Sequence, residues 1–386
     1  MTQEIPEIQQ RWSWLEIDLS AIRHNVEDAR AQLQPGTKLL AVVKADGYGH
    51  GAVECARASL EAGADYLGVA TAPEAFKLRE AGITDVPLMI ISQPPAETAP
   101  LLVKHRVMPA VYDPKFALAY GAAAEAAGVK APYHMAVNTG MNRIGVRWTD
   151  VVDFQKAVAG CDALQLVGTF THFATADCPA TAEFETQVAR FQQAIAALRE
   201  AGVNPGIVHA ANSASIWRYP QVHFDMVRLG ISLYGFMACP EIADIADLQL
   251  AMTVHARITD TRMVEPGDGV SYGLHYNPTE YERVCTVPLG YADGLRRGLS
   301  SNTSFIWNGR LCRQVGNICM DQCMFVVDIR PDENGEVANP QVGDEVLIVG
   351  KQGDAEVTIT EMAQKLGSND HEIAIGFAQR MPRVFV

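Results

Sequence analysis

The feature that most constrains this chain is a rhythm. Across its first two-thirds, short apolar runs alternate with Ala-rich stretches of helical character. The runs fall at 39–43, 66–69, 88–91, 108–111, 133–137, 164–169, 207–209 and 226–228. Helix-like segments lie between them at 52–62, 73–81, 97–105, 114–127, 150–158, 182–201 and 213–217. Continuously apolar strands between helices read as parallel strands buried on both faces. Eight such units fit a (β/α)8 TIM barrel, a fold that takes ~250 residues.

The rhythm stops near Asp247. Beyond it come β-branched runs and turn signals: 252–260, the turn Pro266-Gly267-Asp268, then 283–288, 304–307, 324–328 and 345–349. This reads as a separate, mostly β domain, with one helical candidate at 359–366. The predicted organisation is therefore α/β: an N-terminal (β/α)8 TIM barrel over 1–246, followed by a mostly β C-terminal domain over 247–386. Residues 12–19 precede the barrel rhythm with strand alternation, which fits pairing with the C-terminal domain. Asp18 and Ser20 then offer a cap for a helix over 21–33.

Composition narrows the function classes. The formal net charge of −14 gives a field that repels phosphate backbones, so no nucleic-acid partner is expected. No apolar run approaches the ~20 residues that span a bilayer, so no membrane partner is expected. The polar, acidic start MTQEIPEIQQ lacks a secretory pattern, and the expected location is cytoplasmic. The eight cysteines are scattered, as reduced core residues are in the cytosol. Cys319 and Cys323 have zinc-ligand spacing but no matching second pair, so no metal is expected, and Cys319 reads as a packing residue.

In this fold the chemistry sits at the C-terminal ends of the strands. Lys44 ends the first run, in AVVKADGYGHG. Arg143 follows the fifth, His172 the sixth, Asn212 and Ser213 the seventh, and Arg228 with Gly230 and Ile231 the eighth. A lysine ending a buried strand either snorkels from the barrel mouth or is a desolvated amine that forms a Schiff base. The nearby Gly47, Gly49 and Gly51 favour the second reading, because they let backbone approach a ligand closely. The loops after the seventh and eighth strands are this fold's usual phosphate site. Ser213 reads there either as a plain helix cap or as a phosphate ligand. A lysine facing a phosphate cradle points to pyridoxal 5′-phosphate (PLP).

With these residues in place, the chain resembles the PLP-dependent alanine racemases, a family built as a barrel plus a β domain. The motifs are AVVKADGYGHG, TGMNRIGV, HFATAD, ANSAS, RLGISLYG, VSYG, PLGYADG, VGNICMDQ and the terminal QRMPRVF, spread from residue 41 to residue 385. The resemblance implies interconversion of L- and D-alanine by two bases, with D-alanine serving peptidoglycan. It implies that Lys44 carries PLP and that Tyr48, Ser213, Gly230 and Ile231 hold its phosphate, beside Asn212. It further implies that His172 packs on the pyridine ring and Arg228 hydrogen-bonds the ring nitrogen. Arg143, Met320, Tyr291 and Gln379 would line the substrate side. Tyr272 would be the second base, delivered with the stretch 319–321 by the partner subunit of a homodimer. A tyrosine base needs positive charge or donors near its phenolate, and a His172–Arg228 chain is the expected source.

Three positions depart from that pattern. Ala136 stands where many members have a carbamylated lysine, and Asn138 where they have aspartate, leaving Arg143 without either partner; a bound anion such as chloride is expected to fill the gap. Gln379 stands where a tyrosine is usual. The first two departures resemble broad-specificity amino-acid racemases, so a broader or serine racemase is the alternative reading. Two further alternatives are an amino-acid decarboxylase of the same plan, which Arg228 argues against, and a non-enzymatic PLP-binding barrel, which the domain bearing Tyr272 argues against.

Overall fold

The computed structural model describes residues 10–178, 181–331, 335, 337–377 and 380–386. By contacts the chain divides into two units. One is Leu19–Leu250; the other joins the chain up to Asp18 with Ala251–Val386.

The strands in chain order are β1 (Ser13–Ile17), β2 (Lys38–Val42), β3 (Tyr66–Val69), β4 (Leu88–Ile90), β5 (Met108–Val111), β6 (Ala131–Asn138), β7 (Val146–Arg147), β8 (Leu164–Phe170), β9 (Ile207–His209) and β10 (Met226–Leu229). Within Leu19–Leu250 the parallel order β5-β4-β3-β2-β10-β9-β8-β6 closes on itself through pairing of β5 with β6. Each of the eight apolar runs is one barrel strand. They are buried because helices cover the outside while side chains fill the inside. The helices start where local chemistry satisfies their free amides. Thr71 and Glu74 form a capping box for Ala72–Glu80, and Asp113 and Thr181 cap Pro114–Ala126 and Ala182–Glu200. The segment after residue 246 stays with this unit up to Leu250, because Asn25 accepts from the Gln249 amide and donates to its carbonyl.

In the second unit the strands are β11 (Met252–Arg257), β12 (Asp260–Val264), β13 (Glu282–Val287), β14 (Ser304–Trp307), β15 (Arg310–Val315), β16 (Cys323–Val327), β17 (Glu345–Gln352), β18 (Ala355–Val357) and β19 (Arg383–Phe385). They form one sheet, β12-β13-β16-β15-β14-β17-β11-β1-β19, with β18 on β17. β1 lies between β11 and β19, antiparallel to the first and parallel to the second. Among the described residues two α-helices occur here rather than the one expected. Ile359–Leu366 is joined by Asp370–Gly376, which Asn369 caps by accepting from the Glu372 amide. The N-S-T-D-type residue followed three positions later by Glu is a start signal that the apolar pattern alone did not bring out.

The barrel interior carries a polar chain. His134 on β6 and His209 on β9 lie side by side, fully buried, with 3.0 Å between Nδ1 and Nε2. Arg228 on β10 donates to His209 Nδ1 at 3.1 Å. A guanidinium has no acceptor, so each tautomer follows from it. His209 must accept at Nδ1 and donate from Nε2, and His134 must accept at Nδ1. Burial, then the Arg228 charge, push the His134 pKa down to about 3; the same two causes lower that of His209. The unfolded chain takes up these protons below pH ~6.5 while the native state refuses them, so stability falls as pH drops from ~6.5 toward 3. Each such imidazole adds about 1.4 kcal/mol per pH unit within that window. His134→Gln keeps an acceptor and removes one titration. The slope of the urea midpoint against pH between 6.5 and 4.5 should flatten in this variant, and an unchanged slope would contradict the buried-neutral assignment.

Candidate active site

Lys44 follows β2 with only Val43 between them, and the next four residues take an unusual course. Ala45, Asp46, Gly47 and Tyr48 have φ of 51°, 52°, 65° and 50°, a single left-handed turn. For a residue with a Cβ this conformation costs roughly 1–2 kcal/mol, so it persists only where its surroundings over-determine it. They do so here. Glu74 Oε1 accepts from the Ala45 amide at 2.7 Å, while its Oε2 accepts from Ala70 and Thr71. Asp46 accepts from the Ala52 amide and pairs with Lys77 at 2.9 Å. His50 Nδ1 meets the Gly47 and Tyr48 carbonyls. The turn buries the Tyr48 ring against Tyr234, with centroids 4.9 Å apart, and leaves the Lys44 amine 5.7 Å from that ring.

The Lys44 amine has its pKa lowered, chiefly by burial and then by the charge of Arg143, with Glu74 opposing. Both leading causes enlarge the fraction of neutral, nucleophilic amine. Arg143 itself is exposed and has no side-chain partner among the described residues. Ala136 is buried, and Asn138 is used locally: its Oδ1 accepts from the Gly140 and Asn142 amides and its Nδ2 donates to Asn142.

Asn212, not Ser213, caps the helix Ser213–Arg218, accepting from the Ser215 amide at 3.2 Å. That leaves Ser213 Oγ to accept from the Gly230 amide at 2.9 Å and the Ser232 amide at 3.3 Å. The Gly230 N–H is thus committed, and Ile231 keeps an amide with no partner among the described residues. A Cβ placed on Gly230 would meet only Ser213 Oγ and Tyr48 Oη, each at 3.5 Å. Two hydroxyls therefore converge over open space at the end of β10, where any other residue would fill the gap. This hydroxyl-lined cradle suits a phosphate.

Arg228 is buried and donates to the Thr171 and Ala210 carbonyls, to His209 and, at 3.1 Å, to His172 Nδ1. His172 is held as the Nε2–H tautomer, and burial, followed by the charges of Arg228, Arg143 and Lys44, lowers its pKa to about 3. Of the two aids to a tyrosine base, positive charge or donors, His172 offers the second, a neutral donor. Lys44, Tyr48, Arg143, His172, Asn212, Ser213, Arg228, Gly230 and Ile231 thus all belong to the barrel unit. Glu74, His134 and His209 were not identified as site residues from the sequence, although His209 ends the apolar run 207–209 two residues before the ANSAS motif.

The remaining candidates belong to the second unit. Tyr272 is 75% exposed on the β12–β13 connection, between Ser271 at φ 68°, ψ −179° and Gly273 at φ 77°. The Ser271 conformation is one that glycine almost alone adopts. Tyr291 and Met320 are exposed on adjoining turns, because the Tyr291 and Ala292 amides donate to the Cys319 and Met320 carbonyls at 3.0 Å. The buried Asp293 carboxylate locks this pair of turns, accepting from the Gly290 amide at 2.9 Å and from Arg11 and Arg380; Arg380 also binds Asp321. Gln379 lies outside the described residues.

Comparison with known proteins places this geometry. Residues 17–238 match the family model for the alanine racemase N-terminal domain and residues 251–385 that for the C-terminal domain. The chain is 42% identical to the alanine racemase of Desulfovibrio desulfuricans over 373 residues, covering 97% of this chain and 98% of that one. Among solved structures, alanine racemase of Clostridium difficile 630 is similar at a TM-score of 0.90 and 35% identity, covering 97% of this chain and 96% of that one. Alanine racemase of Bacillus anthracis with bound L-Ala-P is similar at 0.90 and 34%, covering 97% and 95%. The chain belongs to the alanine racemase family.

Proposed function

We propose that this protein interconverts L- and D-alanine using PLP and two bases, Lys44 and Tyr272, as a homodimer in the cytoplasm, and so supplies D-alanine for peptidoglycan. The observation that carries the reading is the barrel-end cluster: an amine of lowered pKa, a cradle of two hydroxyls over Gly230, and a buried guanidinium with donors to spare. The residues fit the cofactor. Lys44 would hold it covalently, Tyr48, Ser213 and the Ile231 amide its phosphate, and Arg228 its ring nitrogen, with His172 and Asn212 beside it. When bound, PLP withdraws electrons from the substrate's α-carbon and acidifies its proton.

The chain's own groups do the rest. Racemisation needs the α-proton taken from one face and a proton returned to the other. Lys44 serves the face from which D-alanine loses its proton, and the L-enantiomer's proton lies on the other. Tyr272 serves the opposite face from a second copy of the chain, with Tyr291 and Met320 lining the substrate space and Arg143 facing the carboxylate. His172, a neutral donor, steadies the tyrosine oxygen when it has given up its proton. Arg228 donates to the ring nitrogen without transferring a proton, because a guanidine is too basic to give one up.

Substrate breadth is a second reading, favoured by Ala136 and by an Arg143 that no carboxylate among the described residues holds. A loosely held arginine tolerates a slightly larger substrate, and one added hydroxyl is worth only about 1–3 kcal/mol to a pocket. Ala136→Lys should lower kcat/KM for L-serine relative to L-alanine by about threefold or more; an unmoved ratio removes this reading.

The main reading is tested by variants at the two bases. Borohydride reduction and peptide mapping should label Lys44 in the parent and in Tyr272→Phe, and no lysine in Lys44→Ala. Tyr272→Phe should lose roughly 10²-fold or more in racemisation. Mixed Lys44→Ala and Tyr272→Phe subunits should recover activity, since one hybrid site holds both bases. Labelling of another lysine, or verified heterodimers without activity, would overturn the assignment.

A further inference from the structure

Tyr272 has almost no packing of its own, so something else must aim it. We propose that Asn317 is the positioning residue that fixes the Tyr272 turn, an inference that rests on Tyr272 being a base. Asn317 grips the turn at two points. Its Nδ2 donates to the Tyr272 carbonyl at 2.6 Å, and its own carbonyl accepts from Ser271 Oγ at 2.6 Å. These two bonds straddle the peptide that follows the strained Ser271.

The neighbours of Asn317 reinforce the grip. Gly316, at φ 68°, lies so close to the Val270 carbonyl and Ser271 Cβ that a Cβ there would sit 2.8 Å from each. Cys319 Sγ lies 3.5 Å from both Ser271 Oγ and the Asn317 carbonyl. Behind the turn, the Val270–Tyr276 bridge packs on Val284 and Val315, and Tyr276 Oη bonds Glu282 and Arg313. The base of the loop is thereby fixed by apolar packing and an ionic clasp. The tip, where Tyr272 stands, is fixed by Asn317. An exposed carbonyl does not need a side-chain donor, because water supplies one; an unfavourable Ser271 conformation does need one to persist. Two residues further along, the Cys319 and Met320 carbonyls hold the Tyr291 turn. Among the described residues the Asn317 side chain itself reaches only the Tyr272 turn.

A residue that aims only Tyr272 affects only the face that Tyr272 serves. In the PLP-loaded dimer, α-hydrogen exchange with D2O is followed by NMR for L-alanine and for D-alanine separately. Asn317→Ala and Asn317→Asp, each lacking the amide donor, should slow exchange from L-alanine about tenfold or more. Exchange from D-alanine, taken by Lys44, should stay within about twofold, with Lys44 still labelled by borohydride reduction. Equal slowing from both enantiomers, or no slowing from either, in the variant that folds would overturn the proposal. Tyr272→Phe separates the two levels: if it exchanges L-alanine at the parent rate, the reading of Tyr272 itself fails, and if it does not while the Asn317 variants behave as the parent, only the positioning role fails.

Discussion

A guanidinium buried at the end of the eighth barrel strand organises this site. Arg228 is a donor at every nitrogen and an acceptor at none, so each neighbour must adapt to it. His209 and His172 are fixed in single tautomers, His134 is fixed behind His209, and burial plus the arginine's charge keep the imidazoles neutral. Two backbone carbonyls, of Thr171 and Ala210, complete its surroundings. No carboxylate appears among these contacts. The positive charge is therefore solvated by dipoles instead of being cancelled, which keeps it available as a hydrogen-bond donor, in the proposed function to the cofactor's ring nitrogen.

Strain marks both proposed bases. Lys44 precedes a left-handed turn that includes three residues with side chains, and Tyr272 follows a serine in a glycine-like conformation. In each case a side chain from elsewhere in the same unit holds the backbone: Glu74 for the first, Asn317 for the second. Such conformations cost of order 1–3 kcal/mol apiece, and what they gain is direction. A proton must move along a short, aligned path, and a relaxed turn would let either side chain swing away.

The barrel was legible in the sequence because its strands are apolar on both faces, a pattern that few other folds impose. The residues at the strand ends were legible for a related reason: Lys44 and Arg228 interrupt apolar context, and burying a charge there has a cost that function must offset. What stayed hidden depends on contacts far apart in the chain. The Thr71-x-x-Glu74 spacing marks a capping box locally, but nothing local tells that Glu74 also reaches the Ala45 amide. The pairing of His134 with His209, 75 residues on, is a product of barrel closure. Asn212 and Ser213 both suit a helix cap, and only the position of Gly230 shows which of them was freed. The second helix of the β unit escaped because its apolar face is short.

In the proposed function Arg228 limits how strongly the cofactor ring would draw electrons, and the partition between racemisation and transamination reads this directly. Arg228→Glu should favour a protonated ring nitrogen, so racemisation of L-alanine should fall while pyruvate formed per turnover rises. If racemisation falls with the pyruvate partition unchanged, Arg228 acts through packing alone and the electronic account is contradicted.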